Sequence, residues 1–156
     1  MNKENYPTWL VPINIAKELK EIGFKEPTMF YFISGESDIQ LSIYDDISLN
    51  YNLYINDIEL INYNTKGFYV SIPTWEQALA WFRAQGYYGN LEATSKCTSA
   101  YIFYPELDNG EFWEFAYKES YEEARETLLL KLIDLYKVAN QPMRKLANWH
   151  ISKSTN

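Results

Sequence analysis

Two stretches of this chain carry the same helix-start signature, Thr74-x-x-Gln77 after Pro73 and Ser120-x-x-Glu123. In each, a hydroxyl and a side chain three residues on can satisfy the free amides of a first helical turn. Between them Gly86 stops the first helix, and 87–95, 99–105 and 111–117 read as strands. Asn109-Gly110 separates the last two, and both central residues of a type I′ hairpin turn need positive φ. The second helix then runs from Tyr121 to about Ala139, on a stripe of Tyr121, Ala124, Leu128, Leu132, Leu135 and Ala139, and Pro142 stops it. Helices gathered on antiparallel strands define an α+β fold.

The first 67 residues repeat the theme without repeating the sequence. A helix is expected from about Pro12, with Ile15, Ala16, Leu19 and Ile22 at helical spacing, Gly23 as its stop and Phe24 folding back on it. Residues 28–34 and 39–45 read as two strands around Gly35-Glu36-Ser37-Asp38. Residues 46–67, rich in Asn, read as an irregular acidic excursion with one short strand at most. The expected order is therefore α-β-β-(excursion)-α-β-β-β-α. Its 156 residues suit one domain, 1–156, made of an N-terminal half (1–67), a second half (68–140) and a basic tail (141–156).

The net charge of −7 is confined. Residues 26–65 hold seven acidic side chains and no Lys or Arg, while the rest of the chain balances. Asp45, Asp46, Asp57 and Glu59 make this stretch a candidate acidic face for a partner, although a charge run is more often a solvated surface. The tail reverses the sign with Arg144, Lys145 and Lys153.

Aromatic residues make up 17% of the chain, and they crowd the segment from Pro73 to Tyr88. Trp75, Ala78, Leu79 and Phe82 share one helical stripe and read as core; Trp81 lies off its centre and reads as a flank residue that either covers a second element or lines a groove. A two-residue turn at Asn109-Gly110 makes facing residue numbers sum to 219. Tyr104 then faces Phe115 and Ile102 faces Tyr117, with Trp113 on that side and Tyr101, Phe103, Phe112 and Ala116 on the other. Both faces are apolar, so something must cover the second one. The first candidate is the N-terminal half through Phe30, Phe32, Leu41 and Ile43. The second is a homodimer, with Leu130 and Ile133 as an added contact. The third is a ligand, with Trp81, Tyr101, Phe103 and Phe112 as its platform.

Several activities lose their residues. His150 is the lone histidine and lies in the tail, which argues against a His-based triad or metal site. Cys97 allows no internal disulfide and lacks the company of an activated thiolate. No phosphate-loop, dinucleotide-binding or EF-hand pattern occurs, and no cofactor is implied. The α-β-β-β-α order of 74–139 matches that of a double-stranded RNA-binding domain. Here, however, the start of the last helix carries Glu119, Glu122, Glu123 and Glu126 against Arg125, the wrong sign for phosphate. Carboxylate chemistry, through Asp45-Asp46 or Glu106, Glu111 and Glu114, is the enzymatic alternative. No apolar run approaches a membrane span, and the N-terminus lacks a signal-peptide layout.

Three blocks add a context. They are Leu19-Lys20-Glu21-x-Gly23-Phe24; Ser71-x-Pro73-Thr74 with Ala78, Trp81, Phe82 and Arg83; and Ser120-Tyr121-Glu122-Glu123-Ala124. In this order the chain resembles a family of small proteins encoded by phages and prophages of gut bacteria, with Ile72 where that family usually has Ala. The resemblance carries no activity. It implies a mobile-element product in the cytoplasm of a bacterial host, and such accessory proteins often bind a host protein or a small signalling molecule, counter-defence included. The expectation is a non-catalytic binding protein that touches neither membrane nor nucleic acid.

Overall fold

The structure is a computed structural model that describes residues 6–35, 39–41, 60–103 and 113–140, with the backbone alone at 41 and 113–115. It is α+β: the described residues form three α-helices and two separate three-stranded antiparallel sheets. Helix α1 spans Ile13–Glu21, α2 Trp75–Ala84 and α3 Tyr121–Ala139. Strands β1 (Phe30–Ile33), β2 (Ile39–Leu41) and β3 (Tyr69–Ile72) form one sheet in the order β2-β1-β3. Strands β4 (Tyr88–Ala93), β5 (Thr98–Phe103) and β6 (Trp113–Lys118) form the other, in sequence order.

Local chemistry explains the helix bounds. Thr74 Oγ1 accepts from the Gln77 amide at 3.1 Å and the Gln77 side chain accepts from the Thr74 amide at 2.9 Å, so the first capping box is complete. Ser120 Oγ accepts from the Glu123 amide at 3.0 Å. Pro12 is the N-cap of α1 rather than its first helical residue. Helices α1 and α2 end alike. Gly23 and Gly86 take positive φ (92° and 88°), and their amides donate to Lys20 and Arg83. The next amides, of Phe24 and Tyr87, donate to Leu19 and Phe82. This is the Schellman arrangement, and the aromatic residue after each glycine folds back into the core, 1% exposed at Phe24 and 6% at Tyr87.

Strand β3 is an addition to the expected order. It is set by partnership: Phe30 pairs with Ile72 and Phe32 with Val70, which places Val70 and Ile72 among the buried residues beside α1. A short 3-10 helix, Tyr63–Thr65, covers the opposite face of this sheet. The Asn64 carboxamide oxygen accepts from the Ser71 amide, Ser71 Oγ accepts from the Tyr63 amide, and Tyr31 and Tyr63 stack at 4.1 Å.

Helix α3 is buried on two sides. Leu128 and Leu132 press on Gly89 of β4. Leu129 and Ile133, one position further on, are equally buried, as they must be where α1 and α2 pack against the helix. Ile133 is therefore no dimer contact, and Leu130 is half-buried against the same core, which corrects the homodimer reading of this helix. Burying one such side chain stabilises by about 1.5–3 kcal/mol. The Lys137–Glu18 ion pair between α3 and α1, 2.9 Å long but about one-third exposed on each side, contributes at most ~1 kcal/mol, so burial rather than charge holds the layers.

Candidate functional site

The β4–β5–β6 sheet shows one face to α3 and the other outward. Thr98, Ala100 and Ile102 are buried on the inner face with Gly89 and Leu91. Period-two alternation puts Tyr88, Asn90 and Glu92 of β4 and Ser99, Tyr101 and Phe103 of β5 on the outer face, where Tyr88 pairs with Phe103, Asn90 with Tyr101 and Glu92 with Ser99. The hairpin between them is tied at Thr94, whose amide donates to the Cys97 carbonyl and whose Oγ1 accepts from the Cys97 amide.

The β5–β6 register differs from the expected one. Facing numbers sum to 215 at Ile102–Trp113 and to 216 at Ser99–Tyr117. The turn at Asn109-Gly110 lies outside the described residues. A shift of four leaves Trp113 opposite the inner-facing Ile102, as expected. The bulge between Ala100 and Tyr101, which leaves Phe115 as the extra residue, then reverses the faces beyond it. Ala116 pairs with inward-facing Ala100, and Tyr117 pairs with Ser99 on the outer face, the opposite of their expected placement.

The outer face thus gathers Tyr88 (43% exposed), Tyr117 (67% exposed), half-buried Tyr101 and Phe103, and the polar Asn90 and Glu92, with Glu114 at the register position opposite Tyr101. Tyr88 and Phe103 have ring centroids 5.9 Å apart. The Tyr101 hydroxyl donates to the Glu92 carboxylate at 3.2 Å. A shallow depression of about 340 Å³ opens over Asn90, Leu91, Glu92 and Tyr101.

Comparison with family models, curated proteins and solved structures finds no match for this chain.

Of the platform expected from sequence, Tyr101 and Phe103 stand together on this face. Trp81 does not belong to it: it is 7% exposed and sits against Phe24 at 5.9 Å, Phe82 at 5.0 Å and Tyr136 at 5.1 Å. Of the two roles open to a flank residue, it takes the covering of a second element, with Tyr136 of α3 as the wall it meets. Phe112 lies outside the described residues, as do Asp45, Asp46, Asp57 and Glu59 of the acidic stretch, the carboxylates Glu106 and Glu111, and the basic tail. Nor do the described residues named for it in the N-terminal half lie on the face. Phe30 packs on Trp9 at 5.2 Å and buried Phe32 lies under Lys17, while Leu41 belongs to the same first sheet, pairing with Phe30; Ile43 is outside the described residues. The first sheet spends its apolar face on α1, and the helices stand between the two sheets.

Sequence reasoning missed Tyr88, Asn90 and Glu92, although the alternation with Gly89 and Leu91 marks them as one face. Among the described residues no three of His, Cys, Asp and Glu gather as a metal would require, and no helix is long and apolar enough to cross a membrane.

Proposed function

We propose that this chain is a non-catalytic binding protein that docks a partner on the outer face of β4–β5–β6. The observation that carries this reading is the exposure of Tyr117 and Tyr88 beside Phe103 and Tyr101 on a face whose reverse is packed against α3. The depression over Asn90, Leu91, Glu92 and Tyr101 is shallow, whereas small-molecule sites enclose most of their ligand. That favours a protein partner over a small signalling ligand. With the phage-like blocks of the sequence, the partner is a host protein and the setting the bacterial cytoplasm.

The test is photo-crosslinking in the producing bacterium, with benzoylphenylalanine at Tyr117 or at Val138, which is 70% exposed at the far end of α3. A discrete adduct at Tyr117 and none at Val138 supports the reading. Equal labelling at both, or none at Tyr117, removes it. An adduct of twice the chain's own mass makes the partner a second copy.

A further inference from the structure

We infer that β4 pairs edge to edge with β4 of a second copy, antiparallel about a two-fold axis at Leu91, which joins two β4–β5–β6 sheets into one. This goes beyond the docking reading and stands without it. The sheet edges are built differently. The β3 edge is closed: Lys20 Nζ donates to the Tyr69 carbonyl at 2.6 Å, the Tyr69 amide donates to the Lys66 carbonyl at 2.8 Å, and the Ser71 amide donates to the Asn64 carboxamide at 2.9 Å. Strand β6 carries the bulge, a device that twists an edge away from pairing. Strand β4 has six residues in unbroken register, with neither proline nor lysine among them. The direction of its backbone groups follows from the hairpin. The Thr94 amide donates to the Cys97 carbonyl at 2.8 Å, which makes these two a hydrogen-bonded pair. Such pairs alternate along an antiparallel ladder, so Tyr88, Asn90 and Glu92 bond to β5, while Gly89, Leu91 and Ala93 turn their N–H and C=O groups to the open edge. Among the described residues, no hydrogen bond from outside the sheet reaches those groups.

Self-complementarity selects a second copy as the occupant. With Leu91 on the axis, Gly89 meets the partner's Ala93, Leu91 meets the partner's Leu91, and Ala93 meets the partner's Gly89, so every open group of β4 finds a bond. On the other face the Asn90 carboxamide lies opposite the partner's Glu92, a donor against an acceptor, and no like charges are directly opposed. Other registers lose this match. An axis at Asn90 sets Ala93 against the partner's Tyr87, whose amide already donates to Phe82. An axis at Glu92 sets that carboxylate against its own copy. The contact is small: about 20 Å of strand covers less than the ~800 Å² per partner of a standard interface. Two chains of net charge −7 also repel each other. The dimer is therefore weak, forming at about 100 μM chain and favoured by salt.

The experiment is sedimentation equilibrium of the full-length chain under reducing conditions, from about 10 to about 500 μM. A monomer–dimer equilibrium that tightens as salt rises is expected. Leu91→Pro removes an N–H that faces away from β5, so the sheet keeps its ladder while the seam loses its centre. It should weaken the dimer about tenfold or more with an unchanged circular dichroism spectrum. If that variant misfolds, exposed Asn90 gives the test. Asn90→Glu opposes like charges across the seam and should weaken the dimer about fivefold. Asn90→Lys opposes unlike ones and should tighten it about threefold more than Glu26→Gln does, a control with the same change in net charge at an exposed site away from this sheet. A chain that stays monomeric throughout overturns the inference, as does a dimer that Asn90→Glu leaves unchanged or equal effects of Asn90→Lys and Glu26→Gln. A dimer that survives Leu91→Pro in a folded protein also overturns it, by placing the contact elsewhere. Strand β5 separates this seam from Tyr117 on β6. Loss of the dimer therefore leaves the Tyr117 crosslink in place, and loss of that crosslink leaves the dimer.

Discussion

Gly89 shows how closely one residue can be constrained by a distant one. It pairs with Ile102 on the inner face of its sheet, where a Cβ would lie 3.0 and 3.1 Å from the two methyls of Leu128 and 3.1 Å from Leu132 Cδ1. The absence of a side chain is what lets α3 approach β4. Gly89→Val should destabilise by about 2 kcal/mol through overpacking. Combined with Leu128→Ala, whose cavity accepts the new methyls, it should cost less than the two single changes added. Urea titrations of the four proteins check this, and strict additivity would mean that the helix simply moves away. Tyr6 offers a pH test. Its hydroxyl donates to the Val11 carbonyl, and burial raises its pKa above the ordinary tyrosine value. The unfolded chain loses this proton near pH 10 and the folded chain only above that. The contribution is therefore full below about pH 10 and fades as pH rises toward the folded-state value. Tyr6→Phe should lose stability less steeply than the parent above pH 10; parallel curves from denaturant midpoints at pH 9 to 11 would show that burial of Tyr6 is not felt.

At the scale of the element, the helix starts differ in a measurable way. Thr74 caps α2 with a hydrogen bond in each direction, inside a chain segment also held by the Leu10–Thr74 bridge and the Val11 amide on the Pro73 carbonyl. Ser120 caps α3 through its acceptor bond to the Glu123 amide, and Glu123 is exposed. Thr74→Ala should cost about 1–2 kcal/mol, and Ser120→Ala about 1 or less. Reversed order in thermal or urea denaturation would mean that the box adds nothing to a single cap. The bulge at Phe115 is the element-scale feature with functional weight. It is what turns Tyr117 outward relative to Trp113, and deleting the extra residue Phe115 should straighten the strand while leaving Tyr117 opposite Ser99 on the outer face.

At the scale of the molecule, Arg125 joins parts of the chain that are far apart in sequence. Its Nη2 donates to the Thr8 carbonyl at 2.9 Å, and the Trp75 indole donates to the same oxygen at 2.9 Å. The guanidinium lies over Trp75 and within 5.5 Å of the Tyr121 centroid. Its Nε is buried and makes no hydrogen bond among the described residues, so ring contact takes the place of a partner there. The N-terminal segment, α2 and α3 thus share one clamp. Arg125→Ala should cost about 1–2 kcal/mol. It should also speed hydrogen exchange at the Leu10 and Val11 amides ahead of that in α3. Uniform acceleration across the molecule would mean that the clamp is only one part of a general core.

The sequence by itself determined the helices. Their caps, stops and apolar stripes act between residues no more than about four apart, so Thr74, Ser120, Gly23 and Gly86 could be read where they stand. It also determined that Ile102 lies on the face opposite to Tyr101 and Phe103, and the α+β class. Tertiary structure decided the rest, because the deciding contacts are remote. Trp81 is core because α1's Phe24 stop and α3's Tyr136 enclose it. The four residues of β3 are a strand because β1 lies beside them. Arg125 reads in sequence as one charge in an acidic helix start, and becomes a clamp only when Trp75 and Thr8 are brought to it. The face bearing Tyr88, Tyr101, Phe103 and Tyr117 depended on register. A strand side chain's face changes with a slip of one residue, and a single bulge, chosen by packing across the whole sheet, supplied that slip.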